Sequence, residues 1–193
     1  MLPWPRARAG NGGPLLSYTD YLPLEWIPGD RAEADDKQRV ATNLYVLEAV
    51  AALEDNVPGR LHEEQPELQL ELQRLDAKLQ LLMDMVARLL RRDESDPQRH
   101  AVRLSVDLIE VGGDLPGMSI GAEGLLSLYL HPAIPAPLQL LGSVVDDARD
   151  DEGHWLHFQA GPLSDPEKEA LSRHVFRHHR RGIAAARQAS PPD

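Results

Sequence analysis

The chain has 193 residues, of which 42% are hydrophobic and 26% charged, the composition of a soluble globular protein with one principal domain. It contains no cysteine, which excludes disulfides, thiolate zinc sites, iron–sulfur clusters and a cysteine nucleophile. The formal net charge of −11 opposes phosphate backbones and anionic lipid, so we expect no nucleic-acid partner. Neither a signal-peptide core nor an apolar run near the roughly 20 residues of a membrane span is visible, so we expect no membrane insertion and a cytoplasmic location.

The N-terminal part of the sequence predicts a single strand. Residues 1–14 are rich in proline and glycine, and we expect them to be disordered. In residues 15–30, apolar side chains alternate with period two from Leu16 to Trp26, which predicts a strand with one solvated face. Pro23 favours the edge of a sheet, because proline has no N–H to donate to a neighbouring strand.

Two helices are predicted between residues 31 and 97. The first lies in residues 31–55, where Val40, Leu44 and Leu47 belong to a wide apolar stripe at helical spacing. The second covers residues 66–92 and carries a heptad repeat. Its apolar positions are spaced alternately four and three residues apart: Leu68, Leu72, Leu75, Leu79, Leu82, Val86 and Leu89.

The heptad repeat has two interpretations. The helix could pack only on the helix of residues 31–55 within one chain. We favour self-association through a coiled-coil seam, because Met83, Met85 and Leu90 widen the stripe beyond what one neighbouring helix covers. A wide stripe favours four helices and hence a homotetramer, while leucine at both core positions leaves the number and direction of the helices open.

From residue 101 the sequence predicts several short strands. Apolar and polar residues alternate over residues 102–108, and Gly112-Gly113-Asp114 is typical of a turn. Further candidate strands are Met118–Ile120, Leu125–Leu130, Leu138–Val145 and His154–Phe158. Short strands at this spacing are typical of a small barrel or sandwich.

The last predicted helix begins with Asp165 as its N-cap and runs to about Arg181, after which Gly182 suits the C′ position. Its surface is basic in an otherwise acidic chain, with arginines at positions 173, 177, 180, 181 and 187. A solvated helix face explains this pattern. The same basic face could instead bind the acidic loop 146–152 of this or another chain, or an anionic partner.

No catalytic constellation is visible, so we expect a protein that is not an enzyme and that uses no cofactor. The glycine-rich pieces do not match a phosphate-binding loop, and neither a Ser-His-Asp order nor a cleft of paired carboxylates can be argued. His174 and His178 have the i, i+4 spacing of two metal ligands on a helix. The arginines around them would repel a cation, so we expect no metal site.

Several features from Arg99 onward follow one layout. They are a D-x-x-x-x-G run at Asp107–Gly112, apolar runs at 124–130 and 138–145, His154-Trp-Leu-His-Phe158 and a basic closing helix at 174–181. This layout resembles the PilZ domain, a barrel family of bacterial cyclic di-GMP receptors. The resemblance implies an α+β fold: a six-stranded antiparallel barrel with a C-terminal helix, here with a long helical hairpin or coiled-coil insertion.

In that family the motifs R-x-x-x-R and D/N-x-S-x-x-G hold the nucleotide, since guanidinium groups suit a dianion. Arg99 and Arg103 have the arginine spacing, and Asp107 begins the second motif. However, Ile109 stands where the serine belongs, and Glu110 adds a negative charge. These departures imply weak or absent cyclic di-GMP binding. The alternative is a genuine receptor in which Arg99, Arg103 and Asp107 form a non-standard site.

The expected organisation has four parts. Residues 1–14 are a disordered N-terminus, 15–30 a leading barrel strand, 31–97 a helical oligomerisation arm, and 98–193 a PilZ-like barrel with its C-terminal helix. The arm is similar to the assembly module of oligomeric PilZ-like proteins of xanthomonads. The resemblance thus implies a self-assembling, non-enzymatic signalling or adaptor protein in cyclic di-GMP-linked pathways, with protein partners that the sequence does not name.

Overall fold

A computed structural model of the chain describes residues 16–29, 36–55, 97–150 and 153–189, and ten residues between positions 71 and 86. Six strands form a closed antiparallel barrel in the order β1-β2-β3-β6-β5-β4. Their bounds are β1 Tyr18–Pro28, β2 Arg99–Leu104, β3 Leu108–Gly112, β4 Glu123–Leu128, β5 Leu138–Asp150 and β6 Gly153–Ala160. The predicted six-stranded barrel with a C-terminal helix is therefore confirmed.

Strand β1 closes the barrel by changing partners along its length. Residues Tyr18–Pro23 pair with β2, and residues Leu24–Pro28 pair with β4. The prediction of an edge strand is wrong, because a closed barrel has no edge. Pro23 is tolerated because it lies where the ladder passes from one neighbour to the other, so its missing N–H falls at the change of partner.

Two helices are packed against the barrel: α1, Asp36–Asp55, and α2, Asp165–Ala189. Val46, Leu47 and Val50 of α1, with Leu171 and Val175 of α2, are buried in the same apolar core as the barrel. Buried Asn43 joins α1 to β5: its amide nitrogen donates to the Gln139 carbonyl at 2.8 Å, and its oxygen accepts from the Gln139 N–H at 2.8 Å. Among the described residues, no helix combines the length and apolar character needed to cross a membrane.

Three predicted segments differ from the observed strands. Strand β5 runs on to Asp150, so residues 146–150 of the predicted acidic loop are strand. Residues 102–108 do not form one strand, because a tight turn separates β2 from β3; Ser105 Oγ donates to the Leu108 carbonyl at 2.6 Å and accepts from its N–H at 3.0 Å. The turn shifts the alternation, so that Ile109 and Val111 are buried. Met118–Ile120 lies in a loop with two tight turns rather than in a strand, and Gly117 and Gly121 flank it with φ of 78° and 82°.

Helix α2 also begins and ends differently from the prediction. Ser164, not Asp165, is the N-cap: the Glu167 carboxylate accepts from the Ser164 N–H at 2.9 Å and from its hydroxyl at 2.7 Å. This is the glutamate half of a capping box, in which the N3 carboxylate accepts from the N-cap N–H, and the first helical bond runs from the Lys168 N–H to the Ser164 carbonyl at 3.0 Å. The helix continues through Gly182 to Ala189, so Gly182 is a helix-interior residue rather than a C′ residue.

Candidate functional site

The heptad segment, residues 66–92, presents an exposed apolar stripe. All ten of its described residues are helical. Four of them are predicted seam positions, and each is more than half exposed: Leu75 54%, Leu79 57%, Leu82 57% and Val86 51%. The seam positions Leu68, Leu72 and Leu89 lie outside the described residues.

Helix α1 does not cover the described seam positions. Its Val46, Leu47 and Val50 are buried in the core of the barrel and α2 instead, while Tyr45 is exposed. Met85, beside the seam, is also more than half exposed, so the stripe is broader than the seam in the single chain. Each Å² of apolar surface removed from water contributes about 25 cal/mol. The stripe is therefore a candidate interaction surface in its own right.

Arg103, the second arginine of the expected nucleotide motif, is buried in an ion pair. It lies on β2 directly opposite Glu110 on β3, and its Nη1 is 2.6 Å from Glu110 Oε2. The guanidinium carbon also lies 4.6 Å from the centroid of the Trp155 ring. Both charged side chains are buried. A ligand anion would have to compete with Glu110 for this guanidinium at a site largely closed to solvent.

The other two residues of the expected site have different surroundings. Arg99 is exposed and donates to the Tyr21 carbonyl of β1 at 3.1 Å. Four residues of extended strand place its Cα about 13 Å from that of Arg103. Asp107 is exposed in the bend between β2 and β3. The strand geometry thus separates Arg99 from Arg103, and each of the three side chains has its own environment.

A second polar site lies where α1 ends against α2 and β1. His178 Nε2 is 2.6 Å from Glu54 Oε1, while Arg177 Nη1 is 3.2 Å from Oε2 and Arg181 Nη1 is 3.1 Å from Oε1. Behind them, Tyr18 Oη is 2.7 Å from His174 Nε2. We call this group the Glu54 cluster: Tyr18, Glu54, His174, Arg177, His178 and Arg181.

Burial and charge set the protonation of the Glu54 cluster. Burial alone would raise the pKa of Glu54, but the hydrogen bond from His178 and the charge of Arg181 lower that pKa to about 2. Burial, with the charge of His178 nearby, lowers the pKa of His174 to about 4. Burial also raises the pKa of Tyr18. At neutral pH the cluster therefore contains an ionised Glu54 and an uncharged His174.

The cluster has the side chains, but not the charge balance, of a metal site. Ligand atoms of Glu54, His174 and His178 all lie within 4.8 Å of one another. However, the guanidinium groups of Arg177 and Arg181 already pair with the same carboxylate. A divalent cation would meet two positive charges at contact distance, so the arrangement is better suited to holding α1 on α2.

The barrel, with its capped closing helix, is the architecture of the PilZ class, and the comparisons with known proteins agree. Residues 47–188 match the family described as atypical PilZ domain, cyclic di-GMP receptor. This chain belongs to that family. The matched range includes the heptad segment, so the segment lies within the atypical domain.

One solved structure is similar over nearly the whole chain. It is a pathogenic protein from Xanthomonas campestris, described as a tetrameric PilZ domain self-assembled via an unusual helical bundle. The sequences are 31% identical, the TM-score is 0.68, and the match covers 90% of this chain and 93% of that one. No curated protein matches the sequence.

Two partners in these sites were not identified from the sequence. The sequence predicts only an unfavourable charge at Glu110, whereas the turn at Ser105 places Glu110 on β3 directly opposite Arg103 on β2. Glu54 carries no sequence signal at all, because its partners lie more than 120 residues away on α2. Only the packing of α1 on α2 brings them together.

Proposed function

We propose that this protein is a non-enzymatic PilZ-type signalling adaptor that assembles into a tetramer through the heptad segment. The observation that carries the proposal is the exposure of Leu75, Leu79, Leu82 and Val86 on one described helical segment. A leucine repeat of this kind is stabilised when the helices pack together and exclude water. The oligomerisation arm, expected over residues 31–97, then assembles through the heptad segment alone, because α1 is buried in the barrel core, and β1 completes the barrel unit of residues 98–193.

The similar Xanthomonas protein supports this assembly. It is tetrameric and self-assembles via a helical bundle. Its sequence identity of 31% over 90% of this chain makes the same mode of assembly a reasonable expectation here. Light scattering of the purified full chain tests it. We expect a mass of four chains at micromolar concentration, and a monomer under those conditions would contradict the proposal.

We further propose that cyclic di-GMP binds weakly or not at all at the family's usual motif. The support is the buried Arg103–Glu110 ion pair, because binding a dianion there would leave a buried carboxylate without its partner. Isothermal titration calorimetry with cyclic di-GMP tests this point directly. Binding in the low-micromolar range would contradict it.

The second candidate function is a true cyclic di-GMP receptor with a non-standard site at Arg99, Arg103 and Asp107. Membership of a family described as cyclic di-GMP receptors favours it. Arg99→Ala and Asp107→Asn are suitable probes, because both side chains are exposed and neither is part of the buried pair. Nucleotide binding that weakens at least tenfold in both variants would establish this receptor function. In either case we place the protein in the cytoplasm, as the sequence predicts.

A further inference from the structure

The outer face of α2 carries an unusual concentration of positive charge. Residues 170–189 contain five arginines and no acidic residue, in a chain whose net charge is −11. Arg173, Arg177 and Arg181 follow an i, i+4, i+8 spacing, so they form one row about 12 Å long along the helix. Glu169, one turn before Arg173, is the acidic side chain that α2 itself places beside this row, and the remaining positive charge attracts carboxylates from outside the helix.

An apolar strip runs beside the arginine row. Phe176 is 50% exposed and Ile183 is 42% exposed. The Arg180 guanidinium lies 5.6 Å from the centroid of the Phe176 ring, which places charge and aromatic surface side by side. The arginine row, Phe176, Arg180 and Ala184 border an open groove of about 530 Å³, and Ile183 lies just outside it. We call this surface the α2 face.

The inner edge of the α2 face already binds a helical carboxylate. Glu54, at the end of α1, is held there by Arg177 and Arg181. Further out on the helix, the one described ion pair of Arg173 is with Glu169 of the same helix. That pair is exposed, and such pairs contribute little. The outer half of the face therefore has charge complementary to a second acidic helix that would lie beside Phe176.

We infer that the α2 face binds an acidic amphipathic helix of a partner protein. Its glutamates would pair with Arg173 and Arg180 on the outer half of the face, and its apolar side chains would cover Phe176 and Ile183. The groove is open and spans three turns, so it would leave most of a small anion in solvent but can receive the face of a helix. The inference rests on the proposed adaptor role, since it names the kind of partner that an adaptor would bind.

The test uses fluorescence anisotropy at low salt with the full chain. The probe is a labelled 18-residue helical peptide with glutamates along one side and a leucine strip beside them. We expect Arg180→Glu to weaken binding at least tenfold and Phe176→Ala at least threefold. Lys168→Glu is the matched control: it makes the same charge change on the same exposed helix, but lies about 140° around the axis from Arg173. We expect it to change affinity less than twofold.

Four results would overturn the inference. They are an equal loss of affinity in Lys168→Glu, equal binding of a peptide whose leucines are replaced by serine, absence of peptide binding while pyrophosphate binds, and a fall in assembly mass in Arg180→Glu. The last would make the face an interface between copies. The light-scattering mass of the same wild-type sample separates this inference from the proposed assembly: a monomer that binds the peptide contradicts only the assembly.

Discussion

Arg103 Nη1 lies 2.6 Å from Glu110 Oε2, and the two residues are directly opposed on β2 and β3. Both side chains are buried beside the Trp155 ring. A buried pair of this kind gains little net stability over apolar residues, but the loss of one partner leaves an uncompensated charge. The contact therefore makes Arg103 part of the barrel structure, although its position in the sequence resembles that of a ligand-binding arginine.

Arg103→Ala is expected to lower the free energy of unfolding by about 3–5 kcal/mol, because Glu110 would remain buried without its guanidinium partner, with only the His157 imidazole 3.4 Å from its Oε1. Urea denaturation followed by circular dichroism measures the change. Arg99→Ala is the control, since that side chain is exposed and should change stability by less than about 0.5 kcal/mol. The double variant Arg103→Met/Glu110→Leu should recover most of the loss; if it is as unstable as Arg103→Ala, the ion-pair explanation is wrong.

Leu75→Asp/Leu82→Asp is expected to convert the assembly into monomers, because two carboxylates would have to be buried in the apolar seam. Light scattering measures the mass. Leu81→Asp is a matched control: Leu81 is 61% exposed on the same segment, but lies off the heptad seam. An unchanged mass in the seam variant would mean that the chains associate elsewhere.

The free energy of unfolding is expected to fall as the pH drops from 6.5 towards 4, because His174 takes up a proton in the unfolded chain but not in the folded chain. Burial lowers the pKa of its imidazole to about 4, so between these pH values the unfolded chain binds a proton that the folded chain excludes. This lowering of the pKa corresponds to about 3 kcal/mol in the free energy of unfolding. The lowered pKa of Glu54 adds a further loss below its ordinary value of 4.5.

Thermal unfolding of wild type and His174→Gln at fixed protein concentration, across this pH range, measures the contribution of His174. Glutamine keeps a hydrogen-bond partner for Tyr18 but does not titrate. The variant should therefore lose less stability between pH 6.5 and 4. Parallel curves for the two proteins would show that His174 is not the cause.

Gly182→Ala is expected to stabilise the protein by about 0.5–1 kcal/mol, because Gly182 is inside α2 and an added Cβ would meet no atom within 4 Å. Chemical denaturation measures the change. If α2 instead ended at Arg181 with Gly182 in a left-handed conformation, alanine would be destabilising.

The sequence identified the barrel family more readily than the register of its strands. Alternation and turn residues located five of the six strands approximately, since a half-buried strand must alternate apolar and polar side chains. They missed the turn at Ser105, because Ser105–Asp107 lacks glycine and proline and preserves an apparent period of two. The merged strand concealed that Arg103 and Glu110 face each other.

For the candidate interaction surfaces, too, the sequence predicted the periodic pattern but not the contacts of individual side chains. The heptad spacing and the arginine row are periodic features of single helices, so the sequence alone revealed both. The partners of individual side chains were decided by tertiary structure. Glu54 meets His178 only because α1 packs on α2, and Pro23 lies inside a closed barrel only because β1 changes from β2 to β4. Local periodicity determines which face of an element is apolar or charged, whereas contacts between residues distant in sequence exist only after the elements have packed.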